Sequence, residues 1–234
     1  VTSILNDTVT RLSWDEKATD SAETKRLRSL LVSTAAYYGN EIVIETAKSK
    51  FQALFAGTMN VPTELRAALY NTVVRYGGEA EYNSVFDAIA TASDSFEAGR
   101  LRNALSYTRI PSLLKRTLEY ALSDAVRSQD GAYLIRYVAR NPYGTDIAWD
   151  WLRDNYAQVV KKFNSRVTDT VLIVGTAAMF NSDFKYEEVS QFWKTRTASS
   201  FYLKTALETI QGNKHFLQTN LDEMKNWLAQ NYKA

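Results

Sequence analysis

The chain has 234 residues, enough for one large domain or two small ones and for burying roughly 70% of its unfolded surface. Its hydrophobic content of 45% argues against disorder, and a net charge of +2 with both signs interspersed gives no footprint for nucleic acid or an anionic membrane. Cysteine is absent, which excludes disulfides, cysteine zinc sites and cysteine nucleophiles. Nine glycines and three prolines favour long helices over many short strands. The longest apolar run, residues 171–180, is about half of what a membrane span requires. No signal peptide is visible, and one sequon, Asn6-Asp7-Thr8, matters only for a secreted chain.

In chain order, residues 1–20 are polar and weakly periodic, with Trp14 as their main apolar feature. They read as a lead-in carrying a short helix or only partly ordered. From about Ala22, the residues Leu27, Leu30, Leu31, Thr34 and Tyr38 keep helical spacing up to Gly39. Gly39 suits a left-handed C-terminal cap, and Asn40 can cap the next helix. That helix carries Val43, Ile44, Ala47, Phe51, Leu54 and Phe55 and stops near Gly57. Pro62 and Glu64 suit a new helix start, with Leu65, Leu69, Val73 and Tyr76 as its stripe and Gly77-Gly78 as its end. Tyr82, Val85, Phe86 and Ile89 form the return helix. Ser93 or Ser95 caps another, with Leu101 and Leu105 inside.

Ile110-Pro111 opens a helix bearing Leu114, Leu118, Ala121 and Leu122, and Ser128 or Asp130 caps one with Leu134, Ile135 and Val138. Residues 141–163 then read as a turn, Asn141-Pro142 with Gly144, and one helix capped by Thr145 or Asp146. Ala148, Leu152, Tyr156, Val159 and Phe163 make its stripe. Trp149, Trp151 and Val160 widen it, and Lys161 and Lys162 face its own last carbonyls. Ser165 caps residues 167–180, and residues 185–193 form a shorter helix. Two terminal segments follow, one from Ser200 to Leu217 and one capped by Asn220 with Leu221, Met224, Trp227 and Leu228.

No segment alternates with period two for long enough to be a strand. The reading is all-α: about six antiparallel helix hairpins whose first helices start near Ala22, Pro62, Ser95, Ser128, Ser165 and Ser200. The interval is that of two-helix repeats, so the hairpins are expected to stack as a curved HEAT/armadillo-like solenoid over residues 21–234, with a concave binding side.

Chemistry is sparse. His215 is the one histidine and reads as a solvated helix position, whereas a zinc site or a Ser-His-Asp triad needs more partners. The acid pairs Asp146/Asp150, Glu187/Glu188 and Asp222/Glu223 lie near helix starts and read as dipole and capping residues. No phosphate loop or dinucleotide fingerprint occurs. The chain holds no self-contained active site.

Several segments together carry a resemblance. Asn141-Pro142-Tyr143-Gly144 followed by Ala148-Trp149, then Leu152-Arg153 and Asn155, is similar to a segment in the C-terminal helical domain of gluzincin zinc aminopeptidases. Leu27-Arg28-Ser29 before Gly39-Asn40-Glu41 resembles that family too, as does Pro62 with Glu64-Leu65-Arg66 and Arg75-Tyr76-Gly77-Gly78. So do Arg127, Gln129 and Asp130, the segment 180–183, and the terminal helices through Leu207-Glu208 and Asn226-Trp227-Leu228. The resemblance runs from about Lys25 to the end.

It implies a domain that encloses substrate over a catalytic domain of the same chain, which would hold the zinc and the His-Glu-x-x-His and Gly-x-Met-Glu-Asn motifs. Neither motif is present here, so no catalytic residue and no metal ligand is carried over. The implied partners are that catalytic domain and a peptide, not nucleic acid, with homodimerisation left open. The implied location is the cytoplasm or the ectodomain of a membrane-anchored or secretory-pathway enzyme. The alternative is a stand-alone helical-repeat binding module or an inactive aminopeptidase-like protein. A peptide carboxylate would seek helix N-termini and arginine forks. Arg166, beside Ser165 at a helix start, Arg136 and Arg140 are the substrate-binding candidates. Arg66 and Arg75, beside turns, suit a structural role stitching repeats.

Overall fold

Local signals settle where most helices begin and end. In a computed structural model, which describes residues 2–163, 168–196 and 200–232, Ser21 Oγ accepts from Thr24 N at 3.2 Å and opens α2 (Ala22–Tyr37). Gly39 takes φ +88°, and Asn40 Oδ1 accepts from Val43 N at 3.1 Å to open α3 (Glu41–Phe55). Gly57, at φ +71°, follows the end of α3. Pro62 precedes α4 (Thr63–Tyr76) as its cap residue. Gly77 and Gly78 separate α4 from α5 (Glu79–Ala88), where Glu81 reaches back to accept from Gly78 N at 2.7 Å. A short 3-10 turn, Ile89–Thr91, leads to α6 (Ser95–Leu105). Asp94, rather than Ser93 or Ser95, caps α6 by accepting from Phe96 N and Glu97 N at 2.8 Å each. Those backbone donors hold the Asp94 carboxyl below the usual range.

The first twenty residues contribute α1 (Thr2–Leu12) and a buried anchor. Trp14 is 2% exposed and donates its indole N–H to Val43 O at 3.2 Å. Arg28 reaches from α2 to Ser13 O and pairs with Asp20. The buried face of α2 is Arg28, Leu31, Val32, Ala35 and Ala36, whereas Leu27, Leu30 and Tyr38 are exposed. The apolar stripe expected on α2 is therefore turned by about one residue. Arg28, with its charge satisfied, takes an inward position that a hydrophobicity pattern assigns to a leucine.

By its internal contacts the chain divides into two compact units, Val1–Leu114 and Lys115–Ala234, with α7 (Pro111–Leu122) running across the division. In the first unit α4 packs on α2 and α6 as one row, α3 lies between α2 and α4, and α5 lies between α4 and α6. Ser29 Oγ donates to Glu64 O at 2.8 Å and Tyr76 Oη to Ala36 O at 2.6 Å, so both ends of α4 are tied to α2, at its middle and its C-terminal end. Leu65, Leu69, Val73, Tyr82, Val85, Leu101 and Leu105 fill the space between the rows.

The second unit begins with α8 (Ser128–Arg140), α9 (Thr145–Asp154) and α10 (Tyr156–Lys162). Residues 168–173 form a π-helical stretch leading into α11 (Val174–Ala177), followed by α12 (Asp183–Lys194) and α13 (Ser200–Asn231). α8 packs on α9 and α11, and α13 packs on α11 and α12. Gly131 lets α8 approach α7 closely, since a Cβ there would lie 2.4 Å from Ala121 O. Trp149 is fully buried in a cluster of edge-to-face rings with Phe180 and Phe192, at centroid distances of 6.0 and 5.3 Å.

Four expectations for this unit change. Residues 145–162 form two helices instead of one. At Asn155 the backbone leaves helical geometry (φ −106°, ψ 15°), and its side chain donates to Trp151 O at 2.9 Å. Val160 is 47% exposed and so does not widen the buried stripe, while Ala148, Trp149, Leu152, Val159 and Phe163 are buried. Neither Thr145 nor Asp146 caps α9, nor does Ser128 or Asp130 cap α8, because neither start has a side-chain cap bond. The two terminal segments are one helix, α13, in which Asn220 donates to Phe216 O at 2.9 Å instead of capping a new start. The Ser165 cap lies outside the described residues. Among the described residues there is no strand, and no helix is long and apolar enough to cross a membrane.

Candidate functional site

The sequence of α4 places Arg66 in its first turn and Arg75 in its last, and the two ends have different surroundings. Arg66 is spent on structure. Its Nε donates to Val61 O at 3.0 Å, one terminal nitrogen to Asn60 Oδ1 at 3.0 Å, and the other to Glu97 Oε1 at 3.1 Å. Glu97 is 5% exposed and also accepts from Tyr70 Oη at 2.6 Å and Arg100 at 2.8 Å, so one buried carboxylate joins α4 to α6. Burial first, and then the hydrogen bond to Glu97, push the Tyr70 phenol well above the ordinary tyrosine range.

Arg75 is 9% exposed and has no carboxylate partner among the described residues. Its guanidinium carbon lies 4.1 Å from the centre of the Tyr37 ring and 5.9 Å from that of Tyr76, and its buried Nε donates to nothing. Arg109 stacks on the Tyr76 ring at 4.2 Å. The Tyr76 hydroxyl bond to Ala36 O holds the end of α2 against the end of α4, which sets Tyr37 over Arg75. Between these ends opens a groove of about 330 Å³, lined chiefly by Thr34, Tyr37, Tyr38, Asn71, Arg75 and Tyr107. Asn71 precedes Arg75 by four residues and so shares its face of α4. No acidic residue lines the groove.

In the second unit, Arg136 is half-buried with its Nε unpartnered, and its side-chain carbons cover Gly175, where a Cβ would meet Arg136 Cγ at 2.7 Å. Arg140, four residues on, is exposed. Arg166 lies outside the described residues. Sequence reasoning missed an ion-pair cluster. Glu188 accepts from Trp149 Nε1 at 2.9 Å, Arg153 at 2.7 Å and Lys185 at 3.0 Å, and Lys185 also meets Asp146 at 2.8 Å. Burial pulls the Lys185 ammonium down, but Asp146 and Glu188 outweigh it and leave it above its ordinary value. Asp146 and Asp150 thus serve Lys185 and Arg153 and cap no helix. The available signal was alternating charge at helical spacing on 146–153 and 185–188. The groove residues Tyr37, Tyr38 and Tyr107 were also missed. The signal for the first two was the Tyr37-Tyr38 pair closing a helix before Gly39, whereas Tyr107 carried none.

Among the described residues no three histidine or carboxylate side chains converge as a metal site. The one histidine, His215, is exposed on α13. The described residues do not fit a zinc centre.

The ERAP1-like C-terminal domain family model matches residues 1–212, and the chain belongs to that family. It is 30% identical to human endoplasmic reticulum aminopeptidase 2 over 230 residues, covering 95% of this chain and 24% of that protein. It is 28% identical to rat aminopeptidase N over 213 residues, 86% of this chain and 22% of that protein. It is 26% identical to bovine glutamyl aminopeptidase over 209 residues, 87% of this chain and 22% of that protein. The chain therefore spans about a quarter of the length of the curated relatives it matches.

Proposed function

We propose that this chain is the substrate-enclosing, regulatory C-terminal domain of a zinc-dependent aminopeptidase that removes N-terminal residues from peptides. The observation that carries the reading is the family match over residues 1–212, with relatives that are aminopeptidases about four times as long. The zinc and the catalytic carboxylates belong, on this reading, to other polypeptide of the same parent. The residues here supply helix rows, and in a stacked solenoid one side of such rows walls a cavity that limits substrate length.

α13 supports a packed partner. Leu221, Met224, Trp227 and Leu228 follow one face of the helix and are 40–53% exposed. A contiguous apolar helix face of this kind suits burial against further protein, and the catalytic part of the same parent is the partner proposed.

The test has two parts. The coding sequence upstream should contain His-Glu-x-x-His. The purified full-length protein should bind stoichiometric zinc and release N-terminal residues from peptides. A full-length protein that lacks the motif, binds no zinc and releases nothing would overturn the reading.

A further inference from the structure

We infer that the Arg75 groove is a binding site for a carboxylate group carried on a small or aromatic body. The inference concerns the first unit alone and does not depend on whether the parent hydrolyses peptides.

Three arginines that reach inward in the described chain set the standard, whereas the half-buried Arg136 packs its carbons on Gly175. Arg28 pairs with Asp20, Arg66 with Glu97, and Arg153 with Glu188. Arg75 is as withdrawn from water as most of these, at 9% exposed, yet meets no carboxylate among the described residues. Stacking on Tyr37 engages only the flat face of the guanidinium. The Nε of Arg75 is buried without an acceptor, as in Arg28 and Arg153, but its terminal nitrogens, unlike theirs, meet no protein acceptor among the described residues and are left to water. An arriving anion would give those in-plane donors a charged acceptor in place of water.

The surroundings choose the anion. A single positive charge in the groove suits a monoanion over a phosphate dianion, and the planar fork of arginine matches a planar carboxylate in two parallel hydrogen bonds. Asn71, one turn earlier on α4, offers an amide to the same space. Tyr37 and Tyr38 are 37% and 55% exposed and, with Tyr107, give the groove flat apolar walls. A space of about 330 Å³ admits a group of amino-acid size. The carboxylate could belong to a peptide, as its terminus or an acidic side chain, or to a free organic acid.

The experiment uses the full-length protein, with hippurate as the probe and hippuramide, its uncharged counterpart, as the control. Binding is read by calorimetry and by ligand-observed NMR at low ionic strength. Saturable hippurate binding is expected, with hippuramide at least about tenfold weaker, as loss of one charge-assisted pair implies. Arg75→Gln should weaken hippurate by a similar factor. Should Arg75→Gln fail to fold, Asn71→Asp serves instead. It keeps the size of the side chain, sets a carboxylate four residues before Arg75, and should block hippurate while leaving the melting temperature equal or higher. Competition then separates the sources. Displacement by a free-acid peptide but not by its C-terminal amide assigns a peptide terminus, displacement by both assigns an acidic side chain, and displacement by succinate alone assigns a free acid. Absence of saturable hippurate binding, or binding unchanged in both variants, overturns the inference.

Discussion

Replacing Glu97 by alanine is expected to be the most damaging single polar change in the first unit. The carboxylate is 5% exposed and serves three donors, Tyr70 at 2.6 Å, Arg100 at 2.8 Å and Arg66 at 3.1 Å. Removing one side of a fully buried ion pair costs about 3–5 kcal/mol. Here the arginine side chains are 23% and 26% exposed, and Arg66 keeps its bonds to Val61 and Asn60, so water and protein recover part of that cost. Their share falls to about 1–2 kcal/mol. The Tyr70 hydroxyl, on a residue 3% exposed, loses its acceptor and adds about 1–2 kcal/mol. The expected total is about 3 kcal/mol. Glu97→Gln keeps an acceptor for Tyr70 and loses only the charge, so it should cost about half as much. Because the chain forms two units, one melting curve does not localise the loss. Native-state hydrogen exchange does: amides of α4 and α6 should lose protection, while those of α12 and α13 serve as internal controls. A loss below about 0.5 kcal/mol, or Glu97→Gln as damaging as Glu97→Ala, would refute the reasoning.

The raised Tyr70 phenol makes a pH statement. Its folded pKa lies above the ordinary value of 10.0, so its contribution is intact below about pH 10 and declines as pH climbs toward the folded value, because the unfolded chain releases its proton first. Urea titrations over the alkaline range should show a shallower fall in stability for Tyr70→Phe than for the native chain; parallel slopes would contradict this. Gly131→Ala drives a Cβ to 2.4 Å from a backbone carbonyl and should cost more than about 2 kcal/mol, whereas Gly212→Ala meets nothing within 4 Å and should gain about 0.5–1 kcal/mol. Thermal unfolding followed by circular dichroism orders the pair, and the reverse order would be fatal. Lys162 donates to Leu122 O at 3.1 Å, Val126 O at 2.9 Å and Ser123 O, across the end of α7 instead of its own helix. Lys162→Met should cost about 1–2 kcal/mol and speed exchange near residues 122–126, and unchanged exchange there would count against that role.

Much of the fold was written in short-range chemistry. Ser21, Asn40, Gly39, Gly57 and the Gly77-Gly78 pair act within four residues of themselves, so their meaning survives without knowledge of any neighbour. The helix-only composition and the starts near Ala22, Pro62, Ser95, Ser128 and Ser200 follow from the same rules. The site was less legible. Arg66 and Arg75 sit at opposite ends of one helix, and pattern alone gave both the same role. Their difference comes from α6, which brings a carboxylate to Arg66, and from α2, which brings only tyrosine rings to Arg75.

By itself, then, the sequence determined the class of fold and the caps at Gly39 and Asn40. Its order of motifs pointed to the aminopeptidase relatives that the family match established. Tertiary structure alone decided which face of α2 turns inward, where Asn155 breaks a helix and Asn220 does not, and which arginines find a counter-charge. The reason is one of range. A cap or a left-handed glycine is fixed by bonds to its own segment, whereas burial and charge pairing depend on which distant helix arrives opposite, and that is a property of the packed whole.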